Sequence, residues 1–105
     1  MVEKILSSYI GCDVVSEHKF HPIRKWRFDY AIVDKKIAIE QEGAVWVQGR
    51  HTRGSGFVKD MEKYNEATAM GWRILRFQPK ELTELKSLEI IKRTCKLGED
   101  LNLIK

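Results

Sequence analysis

A single-domain α/β fold, a mixed β-sheet flanked by helices, is the class this sequence predicts, on three observations. Residues 26–33 and 36–42 read as two strands joined by a short polar turn. Residues 57–70 repeat apolar side chains at three- and four-residue spacing and end at Gly71, as a helix does. A short β-rich run, Trp72-Arg73-Ile74-Leu75-Arg76-Phe77, follows at once. A strand directly after a helix implies a crossover and so a parallel partner. The predicted order is α-β-β-β-α-β-α.

In chain order, Val2, Ile5, Leu6 and Tyr9 mark one face of a first helix, with Gly11 as its stop. Residues 13–20 form a first strand in which Val15 and Phe20 are expected to be partly buried, before His21-Pro22 breaks the pattern. In the second strand Trp26, Phe28, Tyr30 and Ile32 alternate with Arg27, Asp29, Ala31 and Val33, and Ile37 and Ile39 continue the apolar face on the third. Residues 44–56 mix apolar side chains with three glycines and with Arg50, His51 and Arg53, which reads as a strand end running into a loop. The second helix directs Phe57, Met61, Tyr64 and Ala67 or Thr68 inward and leaves Lys59, Glu62, Lys63 and Glu66 on its other side. A last helix spans about 82–97, with Leu85, Leu88, Ile91 and Cys95 inward, and 101–105 reads as a tail.

The bulk numbers bound what such a chain can do. Its 105 residues suffice for one core without crosslinks, and 43% hydrophobic with 32% charged residues is the composition of a folded chain. Nineteen Lys and Arg against fifteen acids give +4, which fits a polyanion-binding surface without requiring one. Cys12 and Cys95 have neither CxxC nor Cys/His ligand spacing, so they are expected to be reduced packing residues rather than a zinc centre or a disulfide framework. No signal-peptide pattern and no apolar run of about 20 residues occurs, so the expected setting is the cytoplasm, with no membrane partner.

The hairpin at 27–43 carries the chemistry. A turn centred on Asp34-Lys35 pairs residues whose numbers sum to 69, which sets Ala31 against Ala38 and Asp29 against Glu40. Asp-Lys is not a favoured two-residue turn, but a symmetric four-residue loop keeps the same register. Facing carboxylates destabilise a sheet unless a third partner offsets them, and a divalent cation such as magnesium, which takes oxygen ligands, is a natural one. The plain alternative is a pair of surface acids balanced by Arg27, Lys36 or Lys25.

An Asp on one strand, Glu-x-[charged or amide] on the next, then a helix and a strand, resembles the PD-(D/E)xK, or restriction-endonuclease-like, nuclease superfamily over most of residues 13–77. The stretches Phe20-His21-Pro22, Arg24 to Asp29, Ile39 to Gly43, Gly49 to Gly54 and Gly71 to Phe77 are also similar to small nuclease-like proteins of bacteriophages, for which the setting would be the host cytoplasm. The resemblance implies that Asp29 and Glu40 ligate Mg2+, with Mn2+ able to substitute. Glu42 stands where the family usually has Lys, and Phe28 where it has Pro. Glu42 is therefore a third ligand, a base toward water or a solvated side chain. Lys63 and Lys59, one turn apart, are placed to supply the missing cation.

The implied activity is that of a metal-dependent DNA endonuclease, hydrolysing phosphodiester bonds by nicking or structure-guided cleavage with weak sequence specificity. Positioned cations beside the phosphate would stabilise the transition state. The catalytic candidates are Asp29, Glu40, Glu42 and Lys63, and Arg27, Arg50, His51, Arg53 and Lys59 are candidates for gripping the nucleic-acid backbone, contacts that position without reading sequence. Duplex or branched DNA is the expected partner, and a homodimer would turn one cut into paired cuts. Trp46 could stack on a base, and Glu3 and Glu17 could approach the metal. The alternatives are a non-catalytic nucleic-acid-binding module, a Holliday-junction resolvase-type enzyme and an RNA-cleaving nuclease.

Overall fold

A computed structural model describes residues 1–42 and 55–104, with side chains described over 1–42 and 60–97. Seven main elements follow in order: α1 (Val2–Ile10), β1 (Val15–Lys19), β2 (Arg27–Ile32), β3 (Ile37–Gln41), α2 (Ser55–Ala69), β4 (Arg73–Phe77) and α3 (Leu85–Ile104). The strands form one sheet in the order β1-β2-β3-β4. The first two pairings are antiparallel and β3–β4 is parallel. The mixed α/β class and its predicted element order are therefore observed.

The hairpin register is the one the sum of 69 predicts: Tyr30 pairs with Ile39, Ala31 with Ala38 and Ile32 with Ile37. A four-residue connection preserves it. Val33–Lys35 make a 3-10 turn and Lys36 adopts the left-handed region at φ 53, its N–H donating to the Val33 carbonyl at 3.1 Å. Lys36 also donates its ammonium to the Met70 carbonyl at the end of α2 (2.8 Å), where the helix dipole favours a cation.

Two clusters sandwich the sheet. Ile32, Ile37 and Ile39 pack with Leu6 and Ile10 of α1 and with Leu88, Ile91 and Cys95 of α3. On the opposite face Ala31 and Ala38 meet Ala67 of α2, beside Phe20, Phe28 and Trp72. Phe20 and Phe28 stack at 4.1 Å between centroids, and Trp72 meets Phe28 edge-on at 4.9 Å. The face expected to be polar is thus partly covered, because two alanines let the α2 backbone approach.

Several local expectations change. In α1, Ile10 is buried and Ile5 exposed; Val15 of β1 is exposed and Val14 just before it is buried, its N–H donating to Ser7 Oγ (2.9 Å). Phe28 does not share the face of Tyr30 and Ile32, since it joins the α2-side cluster whereas Tyr30 packs on the other. The alternation breaks at Asp29, opposite which Glu17 of β1 sits at φ 53. Tyr64 and Ala67 of α2 face the sheet as expected, but Met61 is 47% exposed and Lys63, expected on the outer side, turns inward. Helix α2 ends as expected at Gly71, φ 93, with the Trp72 N–H on the Ala67 carbonyl and the Gly71 N–H on that of Thr68. Helix α3 starts at Leu85, because a 3-10 turn at Pro79–Glu81 first sinks Leu82 into the core. Leu85 itself is exposed, and the helix continues to Ile104 through the predicted tail.

Candidate active site

The β2–β3 ladder stops at Tyr30↔Ile39, and carboxylates take over beyond it. The Asp29 N–H donates to Glu40 Oε2 at 2.8 Å, and the Gln41 N–H donates to Asp29 Oδ2 at 2.8 Å. Each acid of the expected facing pair thus accepts a backbone amide from the opposite strand. Charge-assisted bonds of this kind offset the repulsion that two such acids would otherwise impose.

Glu40 is the most enclosed member, its side chain 4% exposed. Its Oε1 accepts from Lys63 Nζ at 2.7 Å and from the Tyr64 hydroxyl at 3.0 Å, so consecutive residues of α2 clasp one oxygen. Burial pushes the Glu40 carboxyl above the usual carboxylate range, and the Lys63 ammonium and Asp29 amide pull against it. The Tyr64 hydroxyl is pushed above the ordinary phenol range, first by burial and then by the charge of Glu40. Lys63, 16% exposed, also lies 5.7 Å from the Phe28 ring centroid and 5.2 Å from that of Tyr64.

Glu42 does not join the other two acids. Its Oε2 lies 3.3 Å from Arg76 Nε, and the Arg76 guanidinium sits 4.2 Å from the Tyr64 ring centroid. Among the described residues no three His, Cys, Asp or Glu side chains form a metal-binding group. Asp29 and Glu40 are the two predicted acids that hydrogen bonds bring together, and a pair of hard carboxylate oxygens could hold a magnesium ion whose shell is completed by water and phosphate oxygens.

The remaining predicted residues distribute unevenly. Arg27 is exposed and pairs in register with Lys19 of β1, which sets two cations side by side at the sheet's edge. Arg50, His51, Arg53 and Trp46 lie outside the described residues, as does the side chain of Lys59. Glu3 holds the Met1 amino group at 2.9 Å, which draws its carboxyl below the usual range, and Glu17 is exposed.

Two residues of the site, Tyr64 and Arg76, escape sequence reasoning. Tyr64 has the spacing of a core residue, and only its contact with Glu40 gives its hydroxyl a role. Arg76 shares a face of β4 with the partly buried Ile74, which places it on the α2 side, but its neighbour Glu40 depends on which strand β4 pairs with and in what register, which no local signal specifies. The β1–β2 loop is built against the same helix: His21 Nδ1 accepts the N–H groups of Ile23 (3.1 Å) and Arg24 (2.9 Å), and the Arg24 guanidinium binds Glu62. No family model, curated protein or solved structure matches the chain.

Proposed function

We propose that this chain is a metal-dependent nuclease of the restriction-endonuclease-like class, acting on DNA phosphodiesters with weak sequence specificity. One observation carries the reading: Asp29 and Glu40, on adjacent strands, are locked together by reciprocal amide-to-carboxylate bonds while a helix delivers Lys63 to Glu40 at 2.7 Å. Two hard carboxylates and a fixed cation at one point are what phosphoryl chemistry requires and what a surface ion pair does not need.

Each residue has a definable task in this reading. Asp29 and Glu40 would hold magnesium, which when bound supplies an activated water and charge stabilisation at the phosphate. The Tyr64 hydroxyl and the Asp29 amide fix the Glu40 carboxylate in one orientation. Lys63 offers a preorganised positive charge from the helix, the part the usual motif lysine plays from the strand. Arg27, with Lys19 across the ladder, attracts the phosphate backbone, and a polyanion relieves the repulsion between the two.

Two observations favour the competing reading, a nucleic-acid-binding module without turnover: Glu42 is engaged by Arg76, and among the described residues no three His, Cys, Asp or Glu side chains come together. Incubation of the purified chain with supercoiled, linear and four-way-junction DNA in magnesium, in manganese and in EDTA separates the two. Metal-dependent nicking that D29A abolishes supports the enzyme. Bound but uncut DNA in every metal, with D29A binding as tightly as the native chain, sinks it. Cleavage of an RNA probe alone would move the substrate class to RNA.

A further inference from the structure

Ligands of open α/β sheets collect beyond the carboxyl ends of parallel strands. In this sheet that edge belongs to β3 and β4, where Glu40 neighbours Arg76 in register. Glu42 follows, its N–H donating to the Phe77 carbonyl at 2.9 Å and its carboxylate 3.3 Å from Arg76 Nε. The guanidinium lies over the Tyr64 ring at 4.2 Å, and that ring's hydroxyl is bonded to Glu40. A chain of contacts thus runs from the buried acid to a half-exposed arginine.

The geometry points to Arg76 as a phosphodiester-binding residue of this site and to Glu42 as the latch that occupies it in the free protein. The inference rests on the nucleic-acid reading above and adds what that reading lacks, a place for the backbone of the substrate and a role for the acid standing where a lysine is usual. Arginine's planar fork matches two phosphate oxygens, and stacking on Tyr64 presets its orientation, so little side-chain freedom remains to be lost on binding. Glu42 and Arg76 are 32% and 49% exposed, and an ion pair so open to water is weak. A backbone phosphodiester carries the same single charge as a carboxylate, but it comes in a row of phosphates whose neutralisation releases counterions, so it can take the carboxylate's place.

A double-mutant cycle tests this by fluorescence anisotropy of labelled duplex and single-stranded DNA, in EDTA and over a salt series. R76A is expected to weaken binding at least about tenfold and to lower the log–log salt slope by about one, the signature of one lost phosphate contact. R76K is expected to keep the slope and recover only part of the affinity. E42Q is expected to tighten binding in the native background and to have little effect beside R76A. Equal tightening by E42Q with and without Arg76 would overturn the latch, since general charge removal would then explain it. An unchanged slope and affinity in R76A would overturn the phosphate contact. Should R76A fail to fold by circular dichroism, the E42Q/R76Q cycle, which also removes the charge, is read the same way. Failure of the native chain to bind any DNA or RNA probe would remove the nucleic-acid reading itself, whereas binding with an additive cycle removes only this inference.

Discussion

Replacing Lys63 with Met, which keeps the unbranched stem of the side chain and deletes its charged end, tests how the site is held together. The Lys63–Glu40 contact is 2.7 Å, with side chains 16% and 4% exposed, so both charges have largely left water. Removing one partner of a buried pair typically costs about 3–5 kcal/mol, because the other charge stays behind. Glu40 would keep the Tyr64 hydroxyl and the Asp29 amide, which places the expected loss near the lower end, about 3 kcal/mol. At about 4–8 °C per kcal/mol for a domain of this size, the melting temperature should fall by roughly 10 °C or more near neutral pH. The loss should also depend on pH. Burial already raises the Glu40 carboxyl, so the folded state binds that proton more readily than the unfolded chain. The associated stability is present below the ordinary carboxyl value of 4.5 and is lost as pH rises through the higher folded value. Without Lys63 the folded value rises further, and the deficit of K63M grows from acid toward neutral pH. Thermal melts by circular dichroism at pH 5 and pH 8 measure this. A variant melting with the native chain at pH 8, or equally destabilised at both, would refute the buried pair.

Other expectations follow from single contacts. Y64F should lose about 1–2 kcal/mol near pH 7 with its bond to ionised Glu40. Because the raised Tyr64 hydroxyl adds stability that is lost as pH climbs above the ordinary phenol value of 10.0, the melting temperature of Y64F should fall less steeply than the native one above that pH; parallel slopes would count against the assignment. G71A should lower the urea midpoint by the equivalent of about 1–2 kcal/mol, since φ is 93 there and the nearest atom to an added Cβ, Lys36 Cδ at 3.7 Å, leaves room; strain alone sets the cost. A38L inserts bulk where Ala38 is wholly buried beneath Ala67 of α2, and a loss of about 1–3 kcal/mol is expected; chemical denaturation at native stability would mean the helix can lift off the sheet.

What the sequence by itself determined is local. Alternation along 26–33 and 36–42, helical spacing over 57–70 and the stop at Gly71 specify the elements. The apolar residues around a symmetric turn specify the hairpin register, because a slip of one residue would turn Ile37 and Ile39 out of the core. Asp29 and Glu40 were legible as a facing pair for that reason alone. The tertiary structure decided the rest. Periodicity put Tyr64 and Ala67 of α2 inward, but did not specify the rotation that leaves Met61 exposed and turns Lys63 in. Ala31 and Ala38 leave space for a close helix, and buried Glu40 rewards the rotation that brings Lys63 and Tyr64 to it. The break at Phe28 arises where amide-to-carboxylate bonds take over from the ladder, and Arg76 reaches Glu42 because β4 takes β3 as its parallel partner in the register that sets Arg76 beside Glu40. These are pairings between residues far apart in the chain, and their free energy comes from burial and charge that exist only once the layers have closed.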